Sequence, residues 1–178
     1  MTTLTADRLR ELLFYDRETG VFTRRIRTSN RINVGDEAGG LCSNGYRQIV
    51  VEGHHYYAHR LAWLYVTGEW PPVEIDHING IRDNNRWANL RAATRSQNAA
   101  NTGRRKDNKS GFKGVHWNSH ARRWQAMIRI NQKTRFLGSF DTPEDASAAY
   151  AAASVKLNGS FAKHGSDLDP CFPYMGRM

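Results

Sequence analysis

Apolar residues along the first hundred positions fall into short runs that change period several times. In residues 4–15, Leu9, Leu12 and Leu13 recur at helical spacing behind Thr5, which predicts a short capped amphipathic helix. Residues 21–25 alternate as a strand does. Residues 46–51 and 55–58 flank Glu52-Gly53-His54 and predict a hairpin. Leu61, Ala62, Leu64 and Tyr65 place a helix over 58–66, ended by Gly68 with Pro71-Pro72 beyond. Residues 73–76 form a short strand that runs into an Asn79-Gly80 turn, and Thr94 caps a helix reaching about Asn101. Residues 101–110 are polar and nearly devoid of apolar side chains, as a tether is.

Beyond that segment the pattern is simpler. Residues 112–117, 124–130 and 134–140 are three strand-like runs joined by polar turns. In the second, Trp124, Ala126, Ile128 and Ile130 alternate with Gln125, Met127 and Arg129, so one face is buried. Thr142-Pro143-Glu144-Asp145 opens a small-residue helix that ends at Asn158-Gly159. The expected class is α+β: a first domain over 1–100, a basic linker over 101–110, a three-stranded antiparallel sheet packed on one helix over 111–164, and an irregular tail over 165–178.

Composition narrows the function. The chain has 178 residues, 26 Lys+Arg against 17 Asp+Glu, and a formal net charge of +9. The excess is one block. Residues 101–135 hold Arg104, Arg105, Lys106, Lys109, Lys113, Arg122, Arg123, Arg129, Lys133 and Arg135 against the single acid Asp107. Interleaving with Phe112, Trp117 and Trp124 favours a nucleic-acid face over a merely solvated one. No uncharged apolar run approaches the ~20 residues of a membrane span. The charged start MTTLTADRLRE does not read as a signal peptide. Cys42 and Cys171 supply neither a disulfide framework nor zinc spacing.

The densest chemistry lies between 75 and 98: Ile-Asp-His-Ile-Asn-Gly, Asp-Asn-Asn-Arg, Asn-Leu-Arg and Ala-Thr-Arg-Ser-Gln-Asn. Phosphodiester hydrolysis needs a water deprotonated near neutral pH, which suits the imidazole of His77. It also profits from a hard divalent cation held by oxygen donors such as Asp76 and a following Asn. Neighbours on a strand point to opposite faces, so Asp76 and His77 meet only where the strand ends or bends. His54 and His55 read as surface or cross-strand residues, and Trp63, Trp70 and Trp87 as core.

Ala58-His59-Arg60-Leu61-Ala62-Trp63, Ile75 through Gly80, Asp83-Asn84-Asn85-Arg86, Asn89-Leu90-Arg91 and Thr94 through Asn98 follow one another in fixed order. Over 46–101 the chain resembles the HNH endonucleases of phages and mobile introns, in their His-Asn-Asn variant. Tyr15-Asp16-Arg17-Glu18-Thr19-Gly20 resembles the leader common in such phage proteins. The resemblance implies a ββα-metal fold with one Mg²⁺ or another hard ion such as Mn²⁺. By position it makes His77 the general base, Asp76 and Asn98 the metal ligands, and Asn89 the residue that holds the loop and orients the histidine. Asn98 stands where many relatives have His, which argues against zinc. His59 and Arg60 belong to the pattern; they either position a phosphate or form a helix start under the site.

Residues 110–164 resemble the APETALA/ethylene-response type of DNA-binding domain. Gly111 through Val115, Arg123-Trp124-Gln125-Ala126 and Phe136 through Thr142 carry the likeness, followed by Glu144-Asp145-Ala146, Ala149 and Tyr150. The resemblance implies a sheet entering the major groove, and Lys113, His116, Trp117, Arg122, Arg123, Arg129, Lys133 and Arg135 are the candidate contacts. Strand alternation forbids all of them from facing DNA together, and Trp124 and Phe136 have a competing claim as core. The expected protein is a metal-dependent homing-type endonuclease. It would nick duplex DNA in the host cytoplasm as a monomer or a DNA-induced dimer, and would use neither membrane nor small-molecule substrate. The alternative is a catalytically inactive, sequence-specific DNA-binding regulator.

Overall fold

The structure is a computed structural model that describes residues 4–105 and 107–163; the predicted tail over 165–178 lies outside them. It is α+β and divides into two compact units, Met1–Thr94 and Arg95–Met178. The helix predicted to close the first domain therefore groups with the second.

In the first unit α1 (Ala6–Leu12) is capped by Thr5, whose hydroxyl accepts the Arg8 N–H. The helix stops one turn earlier than its pattern predicts, because Leu13–Tyr15 becomes strand β1 and pairs with β2 (Phe22–Arg24). The burial order of Leu13, Phe14 and Tyr15 (buried, exposed, buried) is strand periodicity inside what the spacing assigns to a helix. Next come β3 (Gly40–Leu41), β4 (Arg47–Val51) and β5 (His54–Tyr57), an antiparallel sheet in that order. Glu52 and Gly53 both take positive φ, the tight-turn geometry that joins β4 to β5. Helix α2 (Ala58–Thr67) ends on Gly68 in the left-handed region. Leu9, Leu13, Phe22, Ile49, Leu61 and Leu64 fill one core, with Trp63, Trp70 and Trp87 packed at its margin.

Strands β6 (Glu74–His77) and β7 (Leu90–Ala93) form a separate antiparallel ribbon. The sequence does not announce β7: Leu-Arg-Ala-Ala has little strand propensity, and its conformation comes from pairing with β6. Helix α3 (Arg95–Asn101) follows in sequence.

The second unit has strands β8 (Val115–Asn118), β9 (Arg123–Ile130) and β10 (Lys133–Phe140) in the order β10-β9-β8. Helix α4 (Pro143–Asn158) packs on one face. Thr142 caps α4 by accepting the Asp145 N–H, with Pro143 at the helix start and Glu144 and Asp145 in the first turn, as the sequence predicts. Val115, Ala126 and Ala146 centre the core, joined by Phe112, Trp124, Leu137 and Phe140. At Gly114 a side chain would collide with the Tyr150 ring. The end of the predicted tether is folded: the Ser110 hydroxyl bonds the Phe112 and Val115 carbonyls, and Asn108 accepts the Gly111 N–H.

Candidate active site and basic sheet

Strand β6 carries Asp76 and His77 to its C-terminal end, and both are buried, at 3% and 4% exposure. Across the ribbon Asp76 faces Arg91, whose Nε donates to Asp76 Oδ2 at 2.8 Å and whose Nη2 lies 2.7 Å from the same oxygen as an ion pair. The strand ends where the sequence requires it to. Gly80 N–H donates to the His77 carbonyl and Ile78 N–H to the Asn89 carbonyl, turning the chain just past the histidine.

His77 lies among aromatic rings. His59, on the first turn of α2, meets it edge-on at 5.1 Å, and Tyr46 lies 5.9 Å away. Tyr57 stacks on His59 at 5.6 Å. Burial pushes His59 down to about 3, helped by the neighbouring His77 and Arg60 charges. Its Nδ1 is buried with no hydrogen-bond partner among the described residues. Burial also lowers the pKa of His77, opposed by its bond to Asn85 and by Asp76. Near neutral pH His77 is thus a neutral imidazole able to take a proton.

Two asparagines organise the connecting loop. Asn89 Oδ1 accepts the Asn79 N–H, and its Nδ2 donates to Asn79 Oδ1 and to the Asn84 carbonyl at 2.7 Å. Asn89 therefore staples the two ends of the turn together. An amide that reaches the imidazole belongs to Asn85, whose Oδ1 lies 3.3 Å from His77 Nε2. Sequence reading had Asn85 only as part of a polar string. Its burial at 2% exposure inside Asp-Asn-Asn-Arg is invisible without the fold. Arg60, a candidate for phosphate positioning, holds its guanidinium over the Trp70 ring at 5.8 Å. Asn98 sits on α3.

In the second unit, strand register sorts the predicted contacts. Ala126 and Ile128 are buried under α4, so Arg123, Gln125, Met127 and Arg129 share the open face. His116 joins them opposite Gln125, and the half-exposed Phe136 opposite Met127. Arg123 is tied to Asp141 at 2.7 Å. Trp117 pairs with Trp124 on the other face, their rings edge-to-face at 5.2 Å. Lys133 and Arg135 pair with Ile130 and Ile128, so their register matches the helix side, although both are exposed. Arg122 occupies the β8–β9 turn with positive φ. Lys113 turns inward: its ammonium donates to the Ala100 and Thr102 carbonyls at the C-terminus of α3, and burial pushes it down to about 8.

Three comparisons bear on this arrangement. Over 65 residues the chain is 43% identical to an ethylene-responsive transcription factor of Arabidopsis thaliana, a match covering 35% of this chain and 25% of that protein. It is 31% identical over 106 residues to protein 3.8 of Escherichia phage T7, covering 59% of this chain and 87% of the phage protein. The profile of an HNH endonuclease family matches residues 56–100, from the last residues of β5 through β6, β7 and most of α3. The chain belongs to the HNH family. No solved structure matches it.

The buried Asp-His pair at the end of β6 lies inside the segment that the HNH endonuclease profile matches. Among the described residues no group of three or more His, Cys, Asp or Glu could by itself enclose a metal. The Asp76 carboxylate is a hard oxygen donor. Magnesium is commonly held by one or two carboxylates plus substrate phosphates and water. The chemistry of that carboxylate fits such an ion. No helix among the described residues is long and apolar enough to cross a membrane.

Proposed function

We propose that this HNH protein is a metal-dependent DNA endonuclease of the homing type, acting in the host cytoplasm. It would hydrolyse one strand per encounter and leave a 5′-phosphate and a 3′-hydroxyl. The observation that carries the reading is the buried, neutral His77 at the end of β6, one residue from Asp76, inside the segment matched by the HNH endonuclease profile. His77 takes a proton from the attacking water. Asp76, paired with Arg91 across the ribbon, would hold the ion. Asn98, assigned by motif order alone, is the second ligand. Mg²⁺ or Mn²⁺, when bound, supplies charge stabilisation at the scissile phosphate and the departing oxygen. Asn89 keeps the turn between β6 and β7 closed, which holds His77 at the strand end.

The second unit is the DNA reader in this proposal. Its open face presents His116, Arg123, Gln125, Arg129 and Phe136, a set able to meet base edges and phosphates. The likeness to the plant transcription factor supports the assignment. The test is Mg²⁺-dependent nicking of supercoiled phage and host DNA. His77→Ala is expected to abolish nicking and leave DNA binding intact. Binding by the intact protein with no cleavage on any phage or host DNA would instead favour the inactive regulator.

A further inference from the structure

Most arginines of the first unit's candidate site are already engaged. Arg91 is paired with Asp76, Arg60 lies over the Trp70 ring, and the Arg86 Nε–H donates to the Glu18 carbonyl. Arg47 is held between two acids, with Nε and Nη2 on Asp83 at 2.9 and 3.3 Å and Nη1 on Glu37. Arg82 differs. It is exposed and has no carboxylate partner among the described residues. Asp83, the adjacent acid that would otherwise neutralise it, is taken by Arg47.

The guanidinium of Arg82 is nonetheless fixed in place. Its Nη1 donates to the Asn44 carbonyl at 2.7 Å, and its Cζ lies 5.0 Å over the Tyr46 ring. The stem runs along the turn between those two residues, since a Cβ on Gly45 would stand 3.8 Å from Arg82 Cδ. The Asn44 amide in turn donates to the Tyr57 hydroxyl at 3.2 Å. The Tyr46 ring is also a neighbour of His77, at 5.9 Å, and the Arg82 charge acts on that imidazole. One aromatic ring thus has the unneutralised guanidinium and the proposed base as neighbours.

A phosphodiester carries one negative charge, and attack by hydroxide adds another as phosphorus becomes five-coordinate. A guanidinium already held in position meets such oxygens with paired N–H donors and needs little reorganisation as the charge develops. We infer that Arg82 is a catalytic residue that donates from Nε and Nη2 to the non-bridging oxygens of the phosphodiester cut beside His77. This rests on the nuclease reading and deepens it. Arg82 exchanges no proton in the step: it stays a guanidinium while the new P–O bond forms and the P–O3′ bond breaks. Arg47 supports it indirectly, by keeping the Asp83 carboxylate away.

The test compares full-length protein with Arg82→Met in two measurements. Equilibrium binding to duplex DNA without metal, across a salt series, reads the phosphate contact. Arg82→Met is expected to reduce the slope of log K against log salt by about 1, with the melting temperature unchanged because the side chain is exposed. Single-turnover nicking with Mg²⁺ at saturating protein reads the transition state, and is expected to slow by about 100-fold. Arg82→Lys, which keeps the charge without the planar fork, is expected to restore the slope and recover only part of the rate. Arg82→Gln carries the same expectations as Arg82→Met if the methionine variant unfolds. A full slope in a folded Arg82→Met would overturn the inference, and so would nicking at the rate of the intact protein. An intact protein that cuts nothing, with the slope still reduced in Arg82→Met, would remove the nuclease reading and leave the phosphate contact standing.

Discussion

Two side chains beside the site are buried at a cost that the surrounding structure must offset. Asp76 has its carboxylate nearly out of water, and the Arg91 guanidinium answers it across the ribbon. Breaking a buried pair by removing one partner leaves a desolvated charge. Arg91→Met is therefore expected to destabilise the first unit by about 3 kcal/mol, read as a lower urea midpoint, and to reduce nicking along with it. His59 is the second case. Burial holds it near 3 in the folded chain, well below the unfolded value. Between pH 6.5 and 3 the unfolded chain binds the extra proton, so stability is full above about 6.5 and falls as pH drops toward 3. The loss is on the order of a few kcal/mol. Acid titration of the melting temperature is expected to show this slope in the intact protein and a shallower one in His59→Gln.

At the scale of elements, a charge counted on a strand or a loop does not reveal which way it faces. Lys113 belongs to the basic block by sequence, but its ammonium caps the last carbonyls of α3. Lys113→Met is expected to lower the melting temperature of the second unit and leave the salt slope of DNA binding unchanged. Arg129, on the open face, should behave in the opposite way. Arg129→Ala is expected to weaken binding, reduce the slope of log K against log salt by about 1, and leave the fold intact. Filter binding across a salt series separates the two. A similar ambiguity explains the element missed by pattern. Residues 90–93 have no strand signal of their own, and only register with Glu74–His77 makes them β7.

For the whole molecule, charge and chemistry are divided between the units. The first unit carries the Asp-His pair, whereas residues 101–135, which hold most of the net positive charge, lie in the second. If five or six of those side chains meet phosphates, the logarithm of the binding constant should fall with log salt at a slope of about −5. The cleavage rate at saturating protein should change far less, because the buried Asp76 and His77 are poorly screened. Single-turnover nicking beside equilibrium binding at several salt concentrations checks the contrast.

By itself the sequence determined the chemical inventory and most of the elements. The His77 motif, the strand-end turn at Asn79-Gly80, the Thr142 cap and the three alternating strands are local patterns, set by neighbours a few residues away. It also located the basic block. Only the tertiary structure decided which side chains meet. Asn85 reaches His77 across eight residues, Tyr15 reaches Asn85 across seventy, and Lys113 turns away from solvent to a helix end. Such partnerships depend on burial and on the orientation of amide and carbonyl groups, which one-dimensional spacing does not encode. The leader turn shows the difference. As a sequence it is a polar turn with no evident task, and in three dimensions it is hydrogen-bonded to the segment whose asparagine meets His77.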